Sequence, residues 1–195
     1  MITPASYDFL ILQNSTYRGV FRVTQGAKPV TIDAATSTFT VECGHGYTAG
    51  DRVVISPATT TSSLPCGINS TTLYYVIATG LTTTAFKLSA TSGGASLTLT
   101  LDAMGTFFTS QPVNITGYTV DADIKGLADG AAIGTFTPTI TSATTGEFEL
   151  AMLPATTLAI AAGRYGYDIS LTSAGGERYY WLTGVVTVTA TYSRS

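Results

Sequence analysis

The sequence predicts an all-β protein: an antiparallel β-sandwich interrupted after its second strand by a second small β-sandwich or barrel. Three observations predict it. Threonine makes up about a fifth of the chain, and charged residues are only 11%, against the usual ~25%. Threonine is β-branched and favours pleated surfaces, and its hydroxyl can face water without a charge. Short runs of β-branched and aromatic residues recur roughly every ten residues with turn chemistry between them. The texture of those runs changes near Thr31 and changes back near Thr109. This divides the chain into residues 1–30 with 110–195, and an inserted block of residues 31–109. At 45% hydrophobic and 10% aromatic, the composition is not that of a disordered chain.

Tyr7-Asp8-Phe9-Leu10-Ile11-Leu12 starts alternating and ends apolar, which fits a strand. Gln13-Asn14-Ser15 makes a turn, and Tyr17 to Val23 is a second strand with period-2 faces. Gly26-Ala27-Lys28-Pro29 reads as a turn. In the block, Thr38–Val41, Arg52–Ser56, Leu73–Ala78 and Ala85–Ser89 are short strands. Pro57 stops the second of these, and the strictly alternating Leu97–Leu101 closes the block. The Gly-rich stretch Gly44 to Asp51 and the polar stretch Thr59 to Pro65 are loops. Tyr118 to Ile124 is a strand with Tyr118, Val120, Ala122 and Ile124 on one face and Thr119, Asp121 and Asp123 on the other. Thr135 to Thr141 reads as one strand, and Glu147–Leu150 as another. Pro154 to Ala162 is a helical piece opened by proline and ended by Gly163. Tyr165 to Thr172 alternates, Gly175-Gly176 makes a hairpin turn, and Tyr179 to Thr191 is the last strand.

Net charge is −3, and the nine basic residues are scattered. Without a cationic stripe, little counterion release is available to drive nucleic-acid binding. No apolar run approaches the ~20 residues of a membrane helix. Met1-Ile2-Thr3-Pro4 has neither the basic region nor the apolar core of a secretory signal. The expectation is a cytoplasmically made protein without nucleic-acid or membrane partners.

No catalytic constellation stands out, and no catalytic, cofactor or metal residue is assigned. His45 is the sole histidine and lies between glycines, where it bonds local backbone. Asp121 and Asp123 sit at i and i+2, about 7 Å apart, a spacing a glycosidase pair could use. Their strand is apolar on its other face, so both read as solvated. Asp8, Asp102, Asp129, Glu147 and Glu149 form no tighter cluster. Cys43 and Cys66 are candidates for a disulfide that would be worth about 3 kcal/mol on chain-entropy grounds. A reducing compartment favours two free, partly buried thiols instead. With His45 they make an incomplete metal set. Tyr74, Tyr75, Tyr179, Tyr180 and Trp181 come in adjacent runs. Neighbours on a strand face opposite ways, so some must leave the core, where they could bury in a protein partner or stack on sugar rings. Strands 7–12 and 178–190 read as edges able to accept a partner strand.

The order of Tyr7-Asp8-Phe9, Pro112-Val113-Asn114-Ile115-Thr116-Gly117-Tyr118-Thr119-Val120, Gly146-Glu147-Phe148-Glu149-Leu150 and Ala162-Gly163-Arg164-Tyr165-Gly166-Tyr167-Asp168-Ile169 resembles a known pattern. It is that of the Ig-like β-sandwich family typified by the N-terminal domain of phage baseplate upper proteins. Related small virion proteins occur in tailed phages, including those of cyanobacteria. The block is similar to a second phage module found in tail and fibre proteins, through Gly44-His45-Gly46-Tyr47, Gly50-Asp51-Arg52-Val53, Leu64-Pro65-Cys66-Gly67, Tyr74-Tyr75-Val76 and Phe86-Lys87-Leu88-Ser89. Simple members of the first family lack an insert at this place. The resemblance implies a non-enzymatic virion structural protein with other virion proteins as partners in a multi-copy symmetric assembly. Its place would be the tail side, as a baseplate, neck or fibre-attachment adaptor. The alternatives are a capsid cement or decoration protein and a carbohydrate-binding module for host surfaces. The inserted block would be the contact arm and the sandwich its base.

Overall fold

The computed structural model describes residues 5–100 and 103–191. The chain forms two compact units, one reaching Val23 and resuming at Asn114, the other Thr24–Val113. Residues 1–4, Leu101 and Asp102 lie outside the described residues.

The first unit opens with β1 (Ala5–Ser6), β2 (Phe9–Leu12) and β3 (Tyr17–Arg22). The second unit contains β4 (Thr24–Asp33), β5 (Thr38–Thr40), β6 (Arg52–Pro57), β7 (Tyr74–Ile77), β8 (Ala85–Ser89) and β9 (Phe107–Pro112). The chain returns through β10 (Thr119–Lys125), β11 (Ala132–Thr135), β12 (Thr137–Ser142) and β13 (Glu147–Met152). It finishes with helix α1 (Pro154–Ala159), β14 (Gly163–Thr172) and β15 (Arg178–Thr189).

The first unit is an all-β sandwich. One sheet runs β1-β15-β14-β10-β11, with β2 also on β15, and the other runs β12-β13-β3. That is the strand order of an immunoglobulin-like sandwich, with the first strand parallel to the last. Period-2 patterning fills the space between the sheets. Val120, Ala122 and Ile124 point inward from β10, and Phe148, Leu150 and Met152 point inward from β13. The strand expected over Thr135–Thr141 is two strands in different sheets. Phe136, 2% exposed, is the hinge of that crossing and is anchored by its N–H to the Ala122 carbonyl at 2.9 Å.

Helix α1 bridges the sheets between β13 and β14. Pro154 supplies the preset φ of a first helical position. Thr157 is fully buried and donates to the Ser15 carbonyl at 2.9 Å. The Tyr165 hydroxyl at the start of β14 reaches back to the Ala161 carbonyl at 2.9 Å. This is the tyrosine corner of immunoglobulin-like domains.

Two corrections to the sequence reading concern β15. It was expected to be an edge, but β14 covers one side and β1 and β2 cover the other, both in parallel. The first strand pair leaves the ladder briefly at Tyr7-Asp8. There the Tyr7 N–H donates to Thr183 at 3.1 Å, and the Asp8 carboxylate accepts the Val185 N–H at 2.9 Å. The Tyr167 hydroxyl donates to the Tyr7 carbonyl. This close approach requires Gly184, because a Cβ there would stand 2.2 Å from the Tyr7 oxygen. The second correction is a bulge. Ile169 pairs with Leu182 but Ser170 pairs with Tyr180, leaving Trp181 as the extra residue. A bulge lets successive residues escape strict alternation. Trp181 turns inward like Leu182 and packs edge-on against Phe148 at 5.6 Å and Phe21 at 6.5 Å.

The second unit is a closed barrel, β4-β5-β8-β7-β6-β9. Its core includes Val30, Phe39, Val53, Ile55, Tyr74, Phe86, Leu88 and Phe107. The Gly26–Pro29 turn expected from the sequence lies inside β4. Between Gln25 and Lys28 the pairing with β9 skips one residue, and Gly26 has φ 63°. Glycine at a left-handed bulge position gives turn-like composition without ending the strand. The unit therefore begins at Thr24, and Thr24 pairs directly with Pro112 at its other end. The stretch Leu97 to Thr100 makes only an isolated bridge between Thr100 and Cys66, although Leu99 is buried as its alternation requires.

Gly184→Ala is expected to destabilise the sandwich by about 3 kcal/mol, because the obstacle is backbone rather than a mobile side chain. Gly175→Ala is the neutral control, since its added carbon meets nothing nearer than 3.6 Å. Urea midpoints of the two variants measure the difference.

Burial pushes the Tyr17 phenol up to about 12, with Tyr7 adding a smaller repulsion. Tyr167 is raised as well, again chiefly by burial. The folded state keeps protons that the unfolded chain releases near the ordinary tyrosine value of ~10. Stability from these groups is thus complete below pH ~10 and falls as pH rises toward ~12. Thermal melts across that window should show the decline, and Tyr17→Phe should make it shallower.

Candidate functional site

The outer face of the larger sandwich sheet gathers charge. β10 turns Asp121, Asp123 and Lys125 outward, and β14 adds Asp168 directly opposite Asp123. Like charges opposite one another on a sheet repel. Here Lys125 stands 2.8 Å from Asp168. That hydrogen bond is the first cause raising the lysine above its ordinary value. Asp121 lies 3.9 Å from Arg178. The Arg178 Nε donates to Ser170 at 2.9 Å, and its guanidinium lies 5.4 Å from the Tyr180 ring centre. Arginine and tyrosine cover Ser170, which is fully buried although it sits on the outward side of its strand. The arrangement is a neutralised, hydrogen-bonded sheet surface. Asp121 and Asp123 stand on that open face with cations beside them, where general acid–base chemistry lacks the enclosed, differentiated pair it needs.

The barrel carries a groove of about 590 Å³ lined by residues of β4, the stretch Thr40 to Gly44, and Ala103 to Phe107. That is the size of a small-molecule pocket. Its charged members are Lys28 and Glu42. The Lys28 amine is committed, donating to the His45 carbonyl at 2.6 Å and the Gly44 carbonyl at 3.2 Å. It also lies 6.0 Å from the Tyr47 ring centre. Lys28, expected in a turn, stands in β4 and takes this role. A lysine beside the glycine of a strand bulge, sixteen residues before a Gly-His-Gly loop, was the available signal.

His45 bonds backbone, as its place between glycines suggested, but it is buried at 3% exposure. Its Nδ1 accepts the Tyr47 N–H at 2.9 Å, which leaves the proton on Nε2 to face the Ala85 carbonyl at 3.3 Å. The ring stacks on Tyr47 and meets Phe86 edge-on. Both nitrogens are occupied. Among the described residues, no three His, Cys, Asp or Glu side chains gather to hold a metal.

The other sequence candidates scatter. Cys43 and Cys66 are both free and both exposed rather than partly buried. Tyr74 was a candidate interface residue but belongs to the barrel core at 4% exposure, its hydroxyl accepting the Asn69 N–H at 2.8 Å. Tyr75 points the other way and is half-buried. Trp181 is half-buried, its ring packed edge-on against Phe21 and Phe148. Tyr179 and Tyr180 remain exposed, at 40% and 48%. Tyr179 is tethered to Glu177 at 2.6 Å, a contact that raises its phenol above the ordinary value.

Replacing Lys28 by methionine keeps its length and removes the donor. The change should cost the barrel about 1–3 kcal/mol, because two partly buried carbonyls lose a charged partner. Hydrogen exchange should speed at Gly44 to Tyr47 and stay unchanged in the sandwich. No protein-family model matches this chain, and no curated protein matches it.

Proposed function

We propose that this protein is a non-enzymatic structural part of a bacteriophage virion, a tail-side adaptor working through contacts between β domains. The observation that carries this reading is the way the barrel is inserted. Its first and last strands pair with each other from Thr24–Pro112 onward, so the insertion closes on itself and needs only two adjacent connections. Such an arrangement suits a part that displays one rigid module on another. The ion pair of Asp121 with Arg178 and the backbone bonds of the buried histidine support the same reading, since these groups are engaged in holding structure. The resemblance of the ordered sequence motifs to baseplate and tail modules supplies the virion context.

Quantitative mass spectrometry of purified particles, followed by location of the chain in a cryo-EM map, tests the proposal. About six to a few dozen copies on the tail side are expected for a symmetric tail component. Copies in the hundreds on the shell would replace it with the capsid-cement reading. Absence from the particle, or turnover of a substrate lost on Asp121→Asn, would sink it.

A further inference from the structure

The end of the sandwich opposite Val23 and Asn114 is built from the turn at residues 13–16, the turn at residues 126–131 and helix α1. Hydrogen bonds tie these pieces together: Gln13 to the Ile160 carbonyl at 2.6 Å and Thr157 to the Ser15 carbonyl at 2.9 Å. Leu127 reaches within 3.5 Å of the Cβ position of Gly166 on β14. Of the eleven large apolar side chains exposed among the described residues, five belong to this end: Leu12, Leu127, Ile133, Leu153 and Leu158. Together they expose on the order of 400–500 Å² of apolar residue surface, the scale at which exposed apolar area on a monomer is often functional.

A surface helix normally turns a charged or polar face to water. In α1 only Thr157 is buried, and the outward residues Ala155, Leu158 and Ala159 are relieved by the Thr156 hydroxyl alone. No charged residue occurs from Leu150 to Gly163.

The flanking charges identify what covers this end. Lys125 and Arg18 are spent on Asp168 and Glu149. Arg164 is exposed and makes no ion pair among the described residues. Asp129 is exposed on the 126–131 turn, where it accepts the Ala131 N–H at 3.0 Å and has no cation beside it. An uncharged apolar centre with one unpaired cation and one unpaired carboxylate is self-complementary under two-fold symmetry. In such a pair each Arg164 would meet the other copy's Asp129 while the leucines meet across the axis. We infer that this end of the sandwich docks a second copy of the chain, forming a weak two-fold dimer. The inference does not rest on the virion role, and either can fail without the other.

Sedimentation of the purified protein from about 1 to about 500 µM is the test. A concentration-dependent shift from monomer to dimer is expected. Leu158→Asp should weaken dimerisation by at least about ten-fold with an unchanged melting curve, and Leu153→Asp repeats the test at a second exposed site. Arg164→Asp and Asp129→Arg should each weaken the dimer, and the two together should restore it. A monomer throughout that range overturns the proposal. So does a dimer indifferent to Leu158→Asp and Leu153→Asp, or a double swap no stronger than its single variants.

Discussion

The sandwich depends on one ring. Phe9 on β2 lies within 6.0 Å, centroid to centroid, of Tyr7, Tyr17, Phe21, Phe136 and Tyr167. Tyr17 and Phe21 come from the smaller sheet, Tyr167 from the larger, and Phe136 from the point where the chain crosses between them. The first core strand therefore seals the gap between the sheets. Aromatic pairs add about 0.5–1.5 kcal/mol each beyond area burial. Losing a buried phenylalanine costs about 3–5 kcal/mol, against a total stability of about 5–15 kcal/mol for a domain.

That ring fixes other features. To bring Phe9 inward, β2 must lie beside β15, and the Tyr7 carbonyl must pass over a strand position without a side chain. Gly184 provides it. Gly19 plays the corresponding part on β3, where a Cβ would stand 2.7 Å from the Tyr17 hydroxyl and 2.9 Å from the Phe21 ring. Two glycines in strand interiors, each a local weakness by propensity, are the room that the aromatic cluster needs. The same packing draws Trp181 inward through the bulge and leaves Tyr180 on the outer surface with Arg178.

Much of the fold was legible in the sequence because sheets are patterned locally. The alternation of Tyr118 to Ile124 and of Glu147 to Leu150 gives the right inward faces. Pro154 marks the start of the helix, and Gly175-Gly176 lies in the last hairpin turn. What escaped were the departures from period 2. The bulge at Trp181 lets the adjacent Tyr179 and Tyr180 both stay exposed, against the expected alternation, and the bulge at Gly26 disguises a strand as a turn. Both are set by the register of a partner strand, β14 across the last hairpin for Trp181 and the distant β9 for Gly26, and not by the residue pattern of the bulged strand itself. The burial of Tyr74 escaped for a related reason. A pair of adjacent tyrosines says that one faces inward, but only the closure of the barrel says which one. Of the candidate site, the backbone-bonding role of His45 was legible from its glycine neighbours, and the role of Lys28 was not.

The sparse charge of the chain then takes on a physical meaning. On the first unit the ion pairs of Arg18, Arg22 and Lys125 each join neighbouring strands, and that of Arg178 reaches across β14 to Asp121 on β10. Exposed pairs of this kind contribute little to stability, about 0–1 kcal/mol. Their effect is to cancel the field of each sheet face. A surface so neutralised has almost no long-range steering, which is what raises association rates between oppositely charged proteins. Contacts made by such a molecule are short-range, formed by apolar side chains and hydroxyls once surfaces already touch. That suits partners held together at high local concentration better than partners that must find each other in dilute solution.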